Sequence, residues 1–507
     1  MGGTAYQVCD GYSRRCVMNR WMMLIPILFP ILAGAVLPLF RFSTRKGRNI
    51  YTEAVTILNS VFVWMLLINP PDGTFRALNL AGDLEITFGV DGLGAVFAGL
   101  ISVLWPLATL YAFEYMEHEG KEDTFFAFYT MTFGITVGIA FAANLMTLYM
   151  FYEILTLVTL PLVMAGMSRE AVMAGRKYIL YSMGGAAFAF IGFIFIFTYG
   201  TTIDFTPGGV LAGANIYGKE TLLRSVYVLA VLGFGVKAAI FPFHGWLPSA
   251  SIAPTPVTAL LHAVAVVKAG AFAIIRITYY SFGTDFLKGT FAQDIVMCFA
   301  MVTIIYGSAR AVKEPHFKRR LAYSTVSNLS YIIFGASLMT PLGLTAALSH
   351  LIYHAVIKIT MFFCAGAVLH KTRREYVREL DGMGSKMPVT FAAFTVGALA
   401  LIGIPPLPGF ISKWNLCTAA ADAGTILSYT GIAVLLVSAF LTAVYMITIL
   451  LRAYFPKKEF DFSSLKGVKD PGWKMCVPFA VFTAFMIIMS FNAPWIMSHL
   501  DKIAGLF

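Results

Sequence analysis

The stretch Leu232-Gly-Phe-Gly-Val-Lys237-Ala-Ala-Ile-Phe-Pro242-Phe-His244-Gly245-Trp246-Leu-Pro248 sets a lysine inside an apolar run and follows it with two prolines. Proline in a helix interior removes a backbone hydrogen bond and clashes with the preceding turn. With Gly233 and Gly235 just upstream, the spacing predicts a helix that unwinds around Lys237. At membrane depth, irregular backbone survives only where protein or a water-filled cavity satisfies it. An ionisable group at that depth marks an ion or proton path by default.

The rest of the chain supplies the membrane. It is 58% hydrophobic and 12% charged, against about 45–50% and about 25% in ordinary soluble domains. Apolar segments of bilayer length recur from Trp21 almost to the C-terminus, and no stretch of soluble length separates them. The expected fold is an all-α polytopic membrane protein of fourteen spans: 20–40, 51–69, 91–116, 124–142, 144–166, 172–199, 222–247, 254–280, 292–312, 319–339, 341–369, 387–416, 425–454 and 472–492. Loops after odd-numbered spans hold most of the basic residues, such as Arg45, Lys46, Arg176, Lys318, Arg373 and Lys457. Loops after even-numbered spans hold only Arg76, Lys219, Arg224 and Lys288. The positive-inside rule then puts the odd loops in the cytoplasm and both termini outside, in a cytoplasmic (inner) membrane. The +11 formal charge is accounted for by those loops facing anionic lipid, and nucleic acid is not needed to explain it. Cys298, Cys364, Cys417 and Cys476 read as small hydrophobes, and neither they nor Cys9 and Cys16 form a metal or disulfide pattern. Residues 1–19 form a polar tail. Met18, just before Asn-Arg-Trp, is the expected start of translation, with 1–17 preceding it.

The twelfth span repeats the plan of the seventh. Gly403-Ile-Pro405-Pro406-Leu-Pro408-Gly409-Phe-Ile-Ser-Lys413-Trp414 again joins a proline–glycine break to a lysine and a tryptophan. The expected breaks fall at Pro242, Gly245 and Pro248, and at Pro405, Pro406, Pro408 and Gly409. Two interrupted spans five helices apart suggest inverted five-helix repeats, 124–280 and 292–454, with a site in each half near the midplane. Residues 20–116 are then peripheral helices, and 455–507 a cytoplasmic loop, the last span and the C-terminus. Two ordinary proline kinks are the plain alternative, but they leave the lysine at each break unexplained.

Further ionisable groups interrupt the spans. Glu153 lies mid-span and is either a neutral, hydrogen-bonded carboxyl or the partner of a lysine, with Lys237 the natural one. Leaving either charge unpaired costs several kcal/mol. Burial and pairing pull proton affinity in opposite directions, so a pair that opens and closes is tunable. His262 and Lys268 lie six residues apart in the eighth span and can border one polar axis. His350, His354 and Lys358 recur at i, i+4 and i+8, one stripe of the eleventh. Two histidines one turn apart do not reach opposite faces of a haem. Arg276, at the end of its span, is expected to snorkel.

In this order, Glu153, Lys237 with Phe-Pro-Phe-His-Gly-Trp-Leu-Pro (241–248), Pro-Thr-Pro-Val-Thr-Ala-Leu-Leu-His (254–262), Lys268, the His350/His354/Lys358 stripe and Gly-Phe-Ile-Ser-Lys (409–413) resemble the antiporter-like membrane subunits of the Mrp and complex I superfamily. The resemblance covers about Leu24 to Asn492. It implies that Glu153 and Lys237 form the first functional pair, that the eighth- and eleventh-span groups connect them, and that Lys413 ends the chain of protonatable sites. A lysine at 413 is similar to the D-type Mrp subunits and the hydrogenase-linked homologues. The M-type quinone-reductase subunits carry glutamate there. The chain ends soon after the last span, without the long lateral helix of the largest paralogue. The resemblance also implies partner subunits of an Mrp-type or complex I-like assembly, no cofactor or metal in this chain, and any NADH-quinone oxidoreductase or hydrogenase activity residing in the whole complex.

The expected function is proton translocation along a central Glu/Lys/His axis. Sodium translocation is the second reading; one carboxylate set against four lysines disfavours it. An assembly scaffold and a stand-alone secondary carrier are the others.

Overall fold

The computed structural model describes residues 19–39, 42, 44–82, 84–118, 120–457 and 460–507. The tail with Cys9 and Cys16, and the start expected at Met18, lie outside the described residues. In chain order the structure runs α1 (Ile25–Val36), α2 (Arg45–Ile68), β1 (Phe75–Ala81), β2 (Leu84–Phe88), α3 (Gly92–Tyr115), α4 (Glu122–Ala140), α5 (Leu145–Val163) and α6 (Arg169–Tyr199). It continues with α7 (Glu220–Lys237), α8 (Trp246–Ala250), α9 (Thr255–Ala259), α10 (Val266–Arg276), α11 (Thr284–Leu287), α12 (Phe291–Lys313) and α13 (Phe317–Ser337). The last elements are α14 (Pro341–Thr372), α15 (Met383–Lys386), α16 (Pro388–Ile402), α17 (Pro408–Ala423), α18 (Ile426–Tyr454), α19 (Trp473–Phe491) and α20 (Ala493–Ala504).

The protein is an all-α polytopic membrane protein. Among the described residues, ten helical stretches are long and apolar enough to cross a bilayer, fewer than the fourteen expected. The other four expected spans are helical but shorter or more polar. The α4 helix holds Thr124, Thr130, Thr132 and Thr136; α7 carries Glu220, Arg224 and Lys237; α13 opens with Lys318, Arg319 and Arg320; α16 stops after 15 residues. Short polar side chains cap several ends: Asp91 accepts from Gly94 N–H, Asn144 from Thr147, Ser168 from Ala171 and Thr340 from Gly343. Each satisfies an otherwise orphaned backbone donor.

One small element departs from the all-helical expectation. The antiparallel hairpin β1–β2 pairs Phe75 with Phe88 and Ala81 with Leu84, turning at Gly82, whose φ is +54°. Its second strand is buried at Ile86, Thr87 and Phe88, so it lies against the helices.

The centre of the bundle is held by two stretches. Thr255–Phe282 is buried throughout, and α14 nearly so. Within the first, α9 and α10 are separated by a π turn at Leu260–Val264, and a second π turn follows at Ile277–Phe282. The α14 helix packs on α13, α16, α17, α19, α20 and α9. By contrast α2, α18 and α19 are only one-third buried and face outward with Leu58, Trp64, Leu436, Phe440 and Ile488.

Candidate functional site

Both expected helix breaks are present. The α7 helix ends at Lys237, the chain runs irregularly through Ala238–Pro242, and a short turn and α8 follow. Pro248 therefore lies inside α8 and Gly245 in the turn before it; of the three expected breakers, only Pro242 sits in the break. In the second break α16 ends at Ile402, Gly403 adopts φ +96°, and α17 begins at Pro408. Pro405 and Pro406 lie between the halves. Gly409 is required because a Cβ there would run into the Ala400 carbonyl.

The two lysines flank these breaks but reach different partners: of the two, Lys413 alone sends its ammonium to the carbonyl end of a half-helix, where partial negative charge favours a cation. Lys237 is the last residue of α7. Its Nζ lies 3.6 Å from Glu153 Oε1, donates to the Tyr152 carbonyl and stands 3.2 Å from the centroid of the Tyr152 ring. Lys413 folds back from α17 and donates to the carbonyls of Leu401 (2.7 Å) and Ile402 (2.9 Å), the open end of α16. The tryptophans do not repeat. Trp246 is buried and its indole N–H donates to Val236 O at 2.7 Å, capping α7, whereas Trp414 is exposed.

Between the breaks runs a chain of buried groups. Lys268 Nζ lies 3.0 Å from His354 Nδ1. The His354 and His350 rings stack with centroids 5.8 Å apart. His350 Nδ1 is 3.0 Å from the Ser412 hydroxyl, one residue from Lys413, and the His350 ring stacks on Tyr331 at 5.1 Å. The Lys413 ammonium lies 5.6 Å from the same Tyr331 ring. Lys268, His354, His350 and Lys413 are thus joined step by step. Lys237 and Lys268 share no hydrogen bond among the described residues, although α10 brings Gly270 against Lys237, where a Cβ would lie 3.1 Å from the Lys237 Cβ.

The eleventh-span stripe is real but its members serve three different neighbours. His350 faces α17, His354 faces α10, and Lys358 turns to α13, donating to Leu321 O at 3.0 Å and to the Ser324 hydroxyl. His262, in the π turn, lies 3.3 Å from Ser251 Oγ and does not meet Lys268. Ser251 in turn lines a cavity of 840 Å³ that opens among His316, Lys318, Arg319 and Arg373. A second cavity on that basic face, of 860 Å³, reaches Gly245, Pro248 and Ser249 below the first break.

Several buried polar atoms along this axis have no hydrogen-bond partner among the described residues: Glu153 Oε1, His262 Nδ1, His350 Nε2, His354 Nε2, Asn328 Oδ1 and Ser330 Oγ. Left dry, each costs about 1–3 kcal/mol. Native proteins meet such groups with internal water.

Sequence reasoning missed the neutral partners: Tyr152, Ser251, Ser324, Tyr331 and Ser412. One signal was available, the polar run Ser324-Thr-Val-Ser-Asn-Leu-Ser330 within α13. It also misplaced Arg276, which does not snorkel. The side chain is buried, forms a paired contact to both carboxylate oxygens of Asp91 (2.6 Å to Oδ1), and lies between the Tyr280 and Phe205 rings at 4.7 and 5.0 Å. Asp91 caps the neighbouring α3 and supplies the counter-charge that lets the guanidinium stay inside.

Comparison with known proteins shows the family and the fold. Residues 142–442 match the family described as NADH:quinone oxidoreductase/Mrp antiporter, transmembrane. NADH-quinone oxidoreductase subunit N of Desulforudis audaxviator is 32% identical over 76% of this chain and 74% of its own length. A Na(+)/H(+) antiporter subunit of Alkalihalophilus pseudofirmus, the one designated A, is 34% identical over 66% of this chain, but the match spans only 43% of that longer protein. In fold, the chain is similar to a chain of an archaeal membrane-bound sulfane sulfur reductase complex (TM-score 0.84, 22% identity, 96% of this chain and 97% of that one). It is also similar to a chain of the Mrp complex of Dietzia sp. DQ12-45-1b (TM-score 0.82, 22% identity, 96% and 97%). The chain is therefore an antiporter-like membrane subunit belonging to the NADH:quinone oxidoreductase/Mrp antiporter transmembrane family.

Proposed function

We propose that the chain moves protons through the membrane along the axis Glu153–Lys237, Lys268, His354, His350 and Lys413, as a subunit without a cofactor of its own. The observation that carries this reading is the row of titratable groups from Lys268 to Lys413: Lys268 touches His354, the His354 and His350 rings stack, and His350 reaches Lys413 through Ser412 and the shared Tyr331 ring, with His354 Nε2 and His350 Nε2 buried and unpartnered among the described residues. At every step an ammonium or imidazolium gives up a proton and the next amine or ring nitrogen takes it. His262 and Lys358 join from the side, and the cavity at Ser251 offers protons a way in from the basic face. Closing the Glu153–Lys237 pair holds a proton on Lys237, and opening it lets the proton move on. Three buried lysines, the half-buried Lys413 and one carboxylate suit protons better than sodium.

In this reading all fourteen segments cross the bilayer, including α4, α7–α8, α13 and α16–α17. Residues 124–280 and 292–454 are the inverted repeats, 20–116 and 455–507 lie outside them, the basic face is cytoplasmic, and both termini are outside. The likeness to chains of two multi-subunit complexes supports a place among partner membrane subunits. Any redox or antiport chemistry then belongs to the assembly.

Lys237→Met tests the reading, because it keeps length and apolarity while removing the charge. Inverted vesicles from cells making the variant should lose coupled proton uptake while the complex still assembles on a native gel. Uptake at the unmodified protein's rate would end the proposal.

A further inference from the structure

A second set of unpartnered polar groups lies away from the central axis, among α2, α3 and α4. On α2, Arg48, Thr52, Thr56 and Asn59 form one buried stripe, with Glu53 beside it. Arg48 anchors the stripe at the basic face. Its guanidinium pairs with Glu122, contacts Asp123 at 3.2 Å and lies 5.0 Å from the Phe126 ring. Past it the cations stop. Glu53 Oε2 is buried and has no hydrogen-bond partner among the described residues, and no ion pair of Glu53 is present among them. The same holds for hydrogen bonds at Asn59 Nδ2 and Oδ1, the Tyr129 hydroxyl and Trp105 Nε1. Tyr129 is near enough to Glu53 to interact with it electrostatically, and its ring lies 5.5 Å from that of Trp105. Thr52 and Thr56 donate to the carbonyls of Arg48 and Glu53, both at 3.0 Å. At about 1.5 Å per residue, Glu53 lies about 7 Å and Asn59 about 16 Å inward of Arg48.

We propose that Glu53 of α2, beside Tyr129 of α4, forms a second proton-holding site, separate from the central axis and reached from the basic face past Arg48. A carboxylate in the apolar layer without a cation costs far more than the same group neutral, so the carboxyl is expected to carry a proton there. The groups around it are consistent with that ligand. The Asn59 amide, the Trp105 indole and the Tyr129 hydroxyl leave open hydrogen-bond donors in the same apolar region, none bonded to the carboxyl itself; such donors oppose a metal cation, and internal water is what would link them to a protonated carboxyl. Among the described residues, the elements packed against α2 bring no further charge to the site. The α1 helix has no titratable residue; Tyr111, Glu114 and Tyr115 of α3 turn to Phe363, Lys371 and Thr255; α4 contributes Tyr129, with Glu122 and Asp123 engaged at the mouth by Arg48 and, for Glu122, Arg45; α2 itself adds Tyr51, which donates to Ala33 O.

Dicyclohexylcarbodiimide, which reacts with protonated carboxyls in apolar surroundings, tests this on native membranes holding the intact chain and its partners. Mass spectrometry of the digested chain should find the adduct on Glu53, forming faster on the acid side and slower on the alkaline side, and absent in Glu53→Gln. Glu153, held by Lys237, should react more slowly. In case Glu53→Gln fails to accumulate, Tyr129→Phe leaves the carboxyl in place and removes one neighbour. It should move the pH of half-maximal labelling, which a merely structural role for Tyr129 would not do. An unlabelled Glu53 beside a labelled Glu153 would overturn the proposal. So would protection of Glu53 by excess sodium at constant pH, which would make the site a metal-cation site instead.

Discussion

Replacing Glu153 by glutamine keeps the shape of the side chain and removes its charge. In the structure the Glu153 carboxylate lies 3.6 Å from Lys237 Nζ. At an effective dielectric of about 20, that separation is worth roughly 4–5 kcal/mol of attraction. Suppose only about 2 kcal/mol survives solvent relaxation around the partly exposed carboxylate; the affinity of Lys237 for its proton still falls about thirtyfold, at about 1.4 kcal/mol per factor of ten. Lys237 keeps its bond to the Tyr152 carbonyl and its place over the Tyr152 ring, so the variant should fold and assemble. Proton uptake into inverted vesicles, followed by quenching of an acridine dye, should slow at least about tenfold, and acidifying the medium should restore part of the rate. Glu153→Asp shortens the arm by one methylene. At about 5 Å it keeps roughly two-thirds of the attraction, so its rate should fall between the other two. Equal rates for glutamate, aspartate and glutamine at every pH would refute the role of the pair.

Other perturbations have equally definite outcomes. Arg276→Leu strands the Asp91 carboxylate and should cost about 3 kcal/mol, at the low end for a broken buried pair because Asp91 is partly exposed; the Arg276→Leu/Asp91→Leu double variant should recover much of the loss in a thermal melt. At Asp91, just ahead of α3, burial raises the carboxyl's proton affinity, but the Arg276 charge and the Gly94 N–H prevail and hold it below the ordinary carboxylate range. That contribution to stability is therefore present above the unfolded carboxylate value of about 3.9 and lost as pH falls from there through the folded value, and Asp91→Asn should remove this acid-side dependence. Gly409→Ala presses a methyl group on the Ala400 carbonyl and should destabilise the α16–α17 joint by about 1–3 kcal/mol, read as a lowered Tm of the purified complex. Lys413→Met should leave the Leu401 and Ile402 carbonyls without their donor and abolish vesicle uptake, while Lys413→Arg, which can still donate, should keep assembly.

Many of the ionisable groups inside the bundle were legible because such residues in apolar runs are rare enough to be read one by one. Glu153, Lys237 and Lys413 needed only the cost of charge in a bilayer and the positions of Pro242, Pro405 and Pro406. The i, i+4, i+8 spacing placed His350, His354 and Lys358 on one stripe. What spacing does not encode is the neighbour across the gap, so the division of that stripe among α17, α10 and α13 was hidden. The π turn at Leu260–Val264 was equally hidden, since it changes the turn between His262 and Lys268 without any proline or glycine to announce it. Arg276 was misread for the same reason: its partner Asp91 is distant in sequence, at the first position of another expected span. The α4 and α13 helices show the limit of hydropathy, because Thr and Ser side chains that return their hydroxyls to the backbone, as Thr132, Thr136, Ser324 and Thr325 do, look more polar in sequence than they are in place.

The burial of Thr255–Phe282 and of α14 also separates the segments proposed to carry protons from the lipid. A bilayer thinner or thicker than the protein's apolar belt loads the helices that touch it, at a fraction of a kcal/mol per ångström. Here those are the rim helices α2, α18 and α19, one-third buried, while Lys268, His350 and His354 lie one layer further in. Changes in lipid chain length should therefore be felt at the rim, as tilt and altered docking to neighbours, and reach the inner helices only through the packing between layers.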